Sequence, residues 1–353
     1  MTDDTRGDRP TRATLSEVAS LADVSISTVS KVLNGRAGVS RETRARVEEL
    51  LQSNKYSSRV SKDSKASLIE VLCYEIESPF ASEILASIER TAREHHIGMV
   101  LTGATERHLP EPDWIDAVLR RAPIGVILVA GALPPADKQR LVSRNIPLVM
   151  VDPAGALEPD VPSIGSADWN GGYLATRHLI DLGHRQIGII TGPSTMLAAT
   201  ARLSGYRAAL DAAHVPVDPD LVRPGEFHHR DGVEEGRRLL SRRDRPTAIF
   251  ASSDLVALGV YEAARSLGLA IPGDLSVVGY DDLRIAQWAG PPLTTIHVPL
   301  VAMAEQAVRL VLRLRDEPDL AFSRIDLDTS LVVRESTAAP RRTGRTRMTK
   351  VSG

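Results

Sequence analysis

The sequence predicts an α/β protein, with a small all-α head followed by two α/β lobes that are each built on a parallel sheet. Three observations predict this fold class. The chain has 353 residues, which is too long for one ordinary core. Its first part, to about Lys55, carries apolar residues only at helical spacing, and from Leu68 short apolar strands alternate with amphipathic helices. A hydrophobic fraction of 42% and a charged fraction of 25% are ordinary for a globular protein.

The head is expected to contain three helices. Residues 1–13 are polar and charged, and we expect them to form a disordered arm before a head of residues 14–56. Thr14 and Glu17 stand at capping-box spacing, Ser25 and Ser40 are good N-caps, and Asn34-Gly35 is a good helix end. The predicted helices therefore run from Thr14 to about Leu21, from Ser25 to Asn34, and from Ser40 to about Lys55.

Seven segments of the remaining chain are typical of buried strands, because they are apolar nearly throughout. They read LIEVLCY, IGMVLTG, GVILVA, PLVMVD, IGIITG, AIFASSD and LSVVGYDD. We expect a linker over 57–67 and a core over 68–336. The first lobe should take residues 68–164 and 298–322, and the second lobe 165–297 and 323–336. The basic tail, 337–353, is expected to be disordered.

Charge is distributed unevenly along the chain. The net charge is −2, yet the segment 11–65 holds ten basic and six acidic residues, which makes it +4. A basic head on an acidic body indicates a phosphate-contacting module joined to a domain for a neutral ligand.

Cys73 is the only cysteine, so the chain cannot form an internal disulfide. The N-terminus lacks a signal-peptide pattern and no apolar run approaches the roughly 20 residues that span a bilayer, so we expect a cytoplasmic protein.

The segment TLSEVASLADVSISTVSKVLNGRAGVSRETRARVEEL resembles the helix-turn-helix head of the LacI/GalR repressor family almost end to end. Asp23 stands where the family usually has Gly, although Asp tolerates a left-handed turn better than most residues. The alternative is a three-helix module that binds protein. By the resemblance, Ile26, Ser27 and Lys31 read base edges, with Lys31 best suited to guanine. The DNA-contacting set that we expect is Thr14, Ser25, Ile26, Ser27, Thr28, Ser30, Lys31, Asn34, Arg59 and Lys62.

The segment from Leu68 to about Ser336 resembles the effector core of the same family, which shares its fold with type I periplasmic sugar-binding proteins. The matching stretches include ESPFASEIL, HLIDLGHRQIGIITGP, ARLSGYRAAL and PPLTTIHVPL. Ligands of open α/β sheets collect where strands end at their carboxyl edge. The resemblance implies a ligand-binding set of Glu75, Ser78, Phe80, Asp152, Trp169, Thr200, Arg202, Phe227, Ser253, Asp254 and Asp281, with Trp288 as a further aromatic. Carboxylates and aromatic faces of this kind suit a sugar.

Several of these residues also have a structural interpretation. Asp152 can cap a turn, Arg202 can set a helix against the sheet, and Asp254 can be an N-cap. Ser253 stands where many relatives carry Asn, which weakens any transfer of ligand identity. His184 is expected to close a helix-to-strand connection.

The sequence favours binding over catalysis. It has no GxSxG, HExxH or P-loop motif and no Rossmann glycine triplet after the first strand. Adjacent histidines, as at His228-His229, fit metal spacing poorly, so we expect no metal and no cofactor. We therefore expect a homodimeric repressor that binds a palindromic operator and responds to a small sugar. An activator and, less well, a solute-binding transport component remain alternatives; a purine is the alternative effector.

The linker departs most from the family. Many members follow the third helix with Tyr-x-Pro-Asn and a short helix whose leucine wedges into the minor groove. Here SSRVSKDSKAS follows Tyr56, without that Pro and without a leucine before Leu68. We expect Arg59, Lys62 and Lys65 to contact phosphates, so the operator should be bent little and binding should depend steeply on salt.

Overall fold

The computed structural model describes residues 15–33, 38–53, 67–104, 109–155, 160–318, 320 and 324–341. They form two units, which divide between Lys65 and Ala66. The expectations for the arm, the linker and the tail beyond residue 341 lie outside the described residues, as do Thr14, Asn34, Arg59, Lys62 and Lys65.

The described residues of the head form three helices, α1 (Leu15–Leu21), α2 (Ile26–Leu33) and α3 (Arg41–Ser53), close to the predicted bounds. Its core consists of Val18, Ala19, Ala22, Val29, Val32 and Val47. Ser25 caps α2 by accepting a hydrogen bond from the Thr28 amide at 3.1 Å, and Ser40 caps α3 in the same way through Thr43. Asp23 has a φ of 51°, so the carboxylate residue does take the left-handed turn expected of it.

The described residues of the core form two six-stranded sheets. The first is ordered β11-β5-β4-β3-β1-β2, and each of its described strand pairs is parallel. Its strands are β1 (Leu68–Cys73), β2 (Gly98–Gly103), β3 (Gly125–Val129), β4 (Leu148–Val151), β5 (Ser163–Ser166) and β11 (Arg324–Leu327). The second is ordered β12-β10-β9-β8-β6-β7, with only β12 antiparallel to its described neighbour. Its strands are β6 (Ile187–Ile190), β7 (Val222–Arg223), β8 (Ala248–Ala251), β9 (Ser276–Asp281), β10 (Thr294–His297) and β12 (Ser330–Val332).

Helices cover the sheets, as the apolar strands require. They are α4 (Pro79–Glu94), α5 (Trp114–Arg121), α6 (Pro135–Val142), α7 (Asp168–Asp181), α8 (Leu197–Ala212), α9 (His229–Leu240), α10 (Asp254–Ser266), α11 (Arg284–Trp288) and α12 (Leu300–Asp316). Among the described helices, none has the length and apolarity needed to cross a bilayer.

The chain passes between the lobes three times: from β5 to α7, from β10 to α12, and from β11 to β12. The predicted lobe boundaries were wrong at the last crossing, because β11 belongs to the first sheet although residues 323–336 were assigned to the second lobe. This strand, RIDL, is short and mostly exposed, so it carries no apolar signal. Residues 163–166 likewise form one strand of the first lobe, across the predicted boundary at 164.

The tail that was predicted to be disordered was placed too early in the sequence, from residue 337. Residues 337–341 are ordered against the second lobe: His184, which is buried, lies 2.9 Å from the Ala338 carbonyl oxygen and 2.8 Å from the Thr247 hydroxyl. The Ala338 amide donates to the Ser276 hydroxyl at 3.0 Å. His184 thus closes the connection between α7 and β6, as expected, and also holds the C-terminal segment.

Candidate functional site

A cleft lies between the lobes, at the carboxyl ends of strands from both sheets. The first lobe contributes residues that follow β1, β3 and β4, and the second contributes residues that follow β6, β7, β8 and β9. The lining residues are Tyr74, Glu75, Ser78, Phe80, Ala130, Asp152, Pro193, Met196, Arg202, Glu226, Phe227, Ser253, Leu255, Asp281 and Leu283. Such an edge is where open α/β sheets bind ligands.

The buried side chain of Arg202, from α8, organises the charges of the cleft. Its Nε donates to Asp168 Oδ1 at 2.8 Å, and its Nη1 donates to the Ser252 carbonyl oxygen at 2.7 Å. Asp281 Oδ1 lies 3.8 Å from the same Nη1. The guanidinium also stands 3.7 Å from the centre of the Tyr280 ring. Arg202 is therefore both a structural brace and a cleft residue, which unites the two interpretations that the sequence left open.

Two carboxylates of the cleft are held in a low-dielectric setting. Burial raises the pKa of Asp152 to about 6, with the nearby Asp168 charge adding to the effect and Arg202 opposing it. Burial also raises the pKa of Asp281 well above its ordinary value. Carboxylates of this kind, which lose hydration on folding, bind well to ligand hydroxyls that can donate hydrogen bonds to them.

The backbone is strained where the chain lines the cleft. Glu75, Ala130, Asp152, Phe227 and Asp281 all have φ between 46° and 105°, in the left-handed region that non-glycine residues rarely adopt. Strain of this sort is typical of binding sites, where the surrounding structure fixes a side chain in one direction. Asp282, which is also left-handed, is braced by Arg334 and His297 rather than turned to the cleft.

A polar side-chain contact crosses the cleft. The Nε2 atom of His228, at the N-cap of α9, lies 2.6 Å from Oε1 of Glu75, which follows β1 in the other lobe. The sequence indicated no such role for His228, because no local pattern predicts that two residues 153 positions apart will meet. Among the described residues, no cluster of His, Cys, Asp and Glu is arranged to hold a metal ion.

Most of the predicted ligand set comes together in this cleft. Glu75, Ser78, Phe80, Asp152, Arg202, Phe227, Ser253 and Asp281 line it. Ser78 and Ser253 also cap helices, by accepting from the Ala81 and Val256 amides. The residues that sequence reasoning missed are mostly apolar, such as Met196, Leu255 and Leu283; their type gives no signal that separates a binding wall from a core.

Three predicted ligand residues lie elsewhere. Asp254 is fully buried behind the cleft wall, where it accepts hydrogen bonds from the Thr295 hydroxyl at 2.6 Å and the Leu283 amide at 2.8 Å. Its carboxylate fixes the loop after β9, and burial raises its pKa to about 7. Trp169 and Thr200 line a separate groove. Trp288 is 75% exposed on α11 and is no part of the cleft.

The described residues that are predicted to contact DNA lie together on α2 and at its N-cap. Ile26 is 52% exposed, Ser25, Ser27 and Lys31 are exposed, and Thr28 and Ser30 are half-buried. The Ser25 hydroxyl lies 2.8 Å from the hydroxyls of Ser27 and Thr28. The face thus presents an apolar side chain, small hydroxyls and one cation, which is a suitable set for a major groove.

Comparison with known proteins decides the family. Residues 14–59 match the model of bacterial regulatory proteins of the lacI family, and residues 176–337 match a periplasmic binding protein-like domain. The ribose operon repressor of Haemophilus influenzae is 34% identical over 331 residues, which cover 92% of this chain and 98% of that one. The chain belongs to the lacI family of bacterial regulatory proteins. The transcriptional repressor CytR of Escherichia coli is 32% identical over 93% of this chain and 97% of its own.

Solved structures agree with this assignment. A complex of the transcriptional regulator CelR with cellobiose has a TM-score of 0.69 and 32% identity, covering 92% of this chain and all of that one. The lac repressor dimer bound to operator has a TM-score of 0.67 and 28% identity, covering 93% and 100%. The protein is therefore a DNA-binding transcriptional regulator with an effector core, and the relatives named here are regulators rather than enzymes.

Proposed function

We propose that this LacI-family regulator represses transcription as a homodimer on a palindromic operator, and that a small sugar bound between the lobes changes its affinity for that operator. One observation supports a sugar as the ligand. The cleft combines the carboxylates of Asp152 and Asp281 and the guanidinium of Arg202 with the aromatic rings of Phe80 and Phe227. The hydroxyls of a sugar can form hydrogen bonds with the charged side chains, and the C–H faces of its ring can pack on the aromatic rings.

The DNA-binding half of the proposal rests on α2. One helix-turn-helix makes few base contacts, whereas two of them on symmetric half-sites double that number. The similarity to an operator-bound lac repressor dimer supports this arrangement. A regulator that acts on chromosomal DNA works in the cytoplasm, where we place the protein.

The test measures operator binding by fluorescence anisotropy, with the full chain and a duplex selected from a random-sequence library. Ribose, cellobiose and a purine base are titrated separately. We expect a sugar to shift the operator Kd, and the sign of the shift distinguishes an inducer from a corepressor. A sugar at 100 times its own Kd should also raise the free energy of unfolding by about 2.7 kcal/mol. A response to the purine alone would contradict the sugar assignment.

Two variants test sugar binding and operator binding separately. Asp281→Asn should bind the operator normally and lose the sugar response, because the altered side chain lies in the cleft. Lys31→Ala should weaken operator binding by about 1 to 3 kcal/mol, while Arg177→Ala, an exposed cation on α7, serves as its charge-matched control. If Lys31→Ala weakens binding to the operator and to random DNA by the same factor, and the affinity depends less steeply on salt concentration, Lys31 contacts only phosphate.

A further inference from the structure

A second groove lies at the edge of the core where the chain crosses from β5 into α7. We call it the hinge-edge groove; its polar and aromatic walls include Trp169, Asn170, Thr200, Ser204, Arg324 and Asp326. Arg324 and Asp326 belong to β11 of the first lobe, whereas the other four come from α7 and α8 of the second. The groove is distinct from the cleft, since the lining residues of the two sites do not overlap.

Trp169 gives the groove a flat apolar platform. The indole is 48% exposed, although it is stacked on the Tyr173 ring at 5.4 Å between centroids with 14° between the planes. Tyr173 is itself packed against the main hydrophobic core, so the indole is held in one orientation while one face remains open. A large aromatic surface that is fixed and exposed beside polar groups is what a sugar ring stacks on.

Arg324 and Asp326 supply polar groups of opposite sign. Arg324 Nε donates to Asp326 Oδ1 at 2.6 Å, and the guanidinium lies next to Gly165 of β5, where any side chain would collide with it. Its Nη1 is buried and has no hydrogen-bond acceptor among the described residues. An unsatisfied donor costs free energy, and an oxygen that enters the groove can supply the missing acceptor after a small side-chain shift.

The charged side chains of the groove each have a partner of opposite charge, which favours an uncharged ligand. Arg324 is neutralised by Asp326, and the remaining carboxylate, Asp168, is neutralised by Arg202. A phosphate or carboxylate would find no unpaired cation here, whereas hydroxyls can both donate and accept. The hydroxyls of Thr200 and Ser204 donate to carbonyl oxygens within α8, at 2.9 and 2.8 Å, and their oxygens still offer lone pairs to a ligand.

We propose that the hinge-edge groove is a second binding site, for a neutral carbohydrate, in which a sugar ring stacks on Trp169 and its hydroxyls bond to Arg324, Asp326 and Asn170. The site is coupled to the cleft through Asp168, which lines the groove and holds Arg202, a residue of the cleft wall. Because the ligand touches both lobes, its affinity depends on their angle, and occupancy of either site changes the affinity of the other.

The experiment is a calorimetric titration of the full chain with cellobiose and with ribose, together with tryptophan fluorescence. We expect two sites per chain for at least one of these sugars. Trp169→Leu should weaken the second site by about tenfold or more, whereas Trp169→Phe, which keeps a flat ring, should retain it within a few-fold. Trp288→Leu is the matched control, because it removes the other exposed indole from a surface outside both sites.

The experiment distinguishes sugar binding in the hinge-edge groove from sugar binding in the cleft. Asp281→Asn should abolish the cleft site and leave the Trp169-dependent fluorescence change in place. If Trp169→Leu, shown to be folded by its melting curve, binds both sugars with wild-type stoichiometry and affinity, the proposal is wrong. A single site per chain for both sugars, removed by Asp281→Asn, also overturns it without affecting the proposed function.

Discussion

At the residue scale, Arg202 determines whether the cleft can keep its buried carboxylates. It is hydrogen-bonded to Asp168 and lies near Asp281 and the Tyr280 ring. We expect Arg202→Met to destabilise the core by about 3 to 5 kcal/mol, because it leaves buried charge uncompensated. Urea unfolding checks this value. Arg177→Met, which removes an exposed pair with Asp181, should cost less than about 1 kcal/mol, and a similar small loss for Arg202→Met would contradict the argument.

Asp152 should make stability depend on pH. Burial raises its pKa to about 6 from the ordinary value of 3.8, so between these values the folded chain binds a proton that the unfolded chain does not. Its contribution is therefore fully present below pH 3.8 and is lost as the pH rises through about 6. Melting temperatures measured across this window should fall less steeply for Asp152→Asn than for the wild type. Asp116→Asn is the control, because Arg140 lowers the pKa of that exposed carboxylate; an unchanged slope in Asp152→Asn refutes the assignment.

The sequence predicted site residues best where the chain leaves a strand. Asp152 follows β4 and Asp281 is the last residue of β9, and both line the cleft because parallel strands end at a common edge. Trp169 and Asp254 were misplaced for a different reason: both stand at the start of a helix, where the direction of a side chain depends on how that helix is rotated against its neighbours. That rotation is fixed by tertiary packing, which the local pattern does not contain.

At the element scale, glycines set the spacing between helices. Gly172 of α7 faces the backbone of Arg202 in α8, and a Cβ there would collide with that backbone. Alanine favours a helix by about 1 kcal/mol over glycine, yet the collision with a main chain that cannot rotate away should dominate. We expect Gly172→Ala to lower the free energy of unfolding by about 1 to 3 kcal/mol and to weaken effector binding, since α8 carries Arg202.

The check is chemical denaturation alongside a sugar titration. Arg177→Ala, on the exposed side of the same helix, should change stability by no more than about 0.5 kcal/mol. A Gly172→Ala protein as stable as the wild type would show that α7 and α8 can separate without loss.

The elements themselves were predictable to different degrees. All seven segments predicted to be buried strands form strands. The prediction of burial was wrong for β2, which lies at the edge of its sheet and has no buried residue. The strands that were missed, β5, β7, β10, β11 and β12, are two to four residues long and contain polar residues. Backbone pairing with neighbouring strands stabilises them, which is a property of the neighbours rather than of their own sequence.

At the scale of the whole molecule, we expect the three crossings between lobes to act as a hinge about which the cleft opens and closes. The contact between Glu75 and His228 joins the lobes across the cleft, at 2.6 Å, and it can exist only while they are closed. A ligand that prefers the closed form gains affinity from any interaction that favours closure. Removal of this contact should therefore populate the open form and weaken effector binding.

A double-mutant cycle with Glu75→Ala and His228→Ala isolates the contact from the part that His228 plays in capping α9. We expect a coupling free energy of about 0.5 to 3 kcal/mol in effector binding, and a larger radius of gyration in small-angle scattering of the sugar-free variants. His229 and Glu262, whose side chains approach to 3.6 Å within the second lobe, provide a matched pair of the same residue types. The same cycle on that pair should leave both the radius and the sugar affinity unchanged, because its contact does not cross the cleft. If the Glu75–His228 cycle gives no coupling while each variant remains folded, the contact does not govern closure.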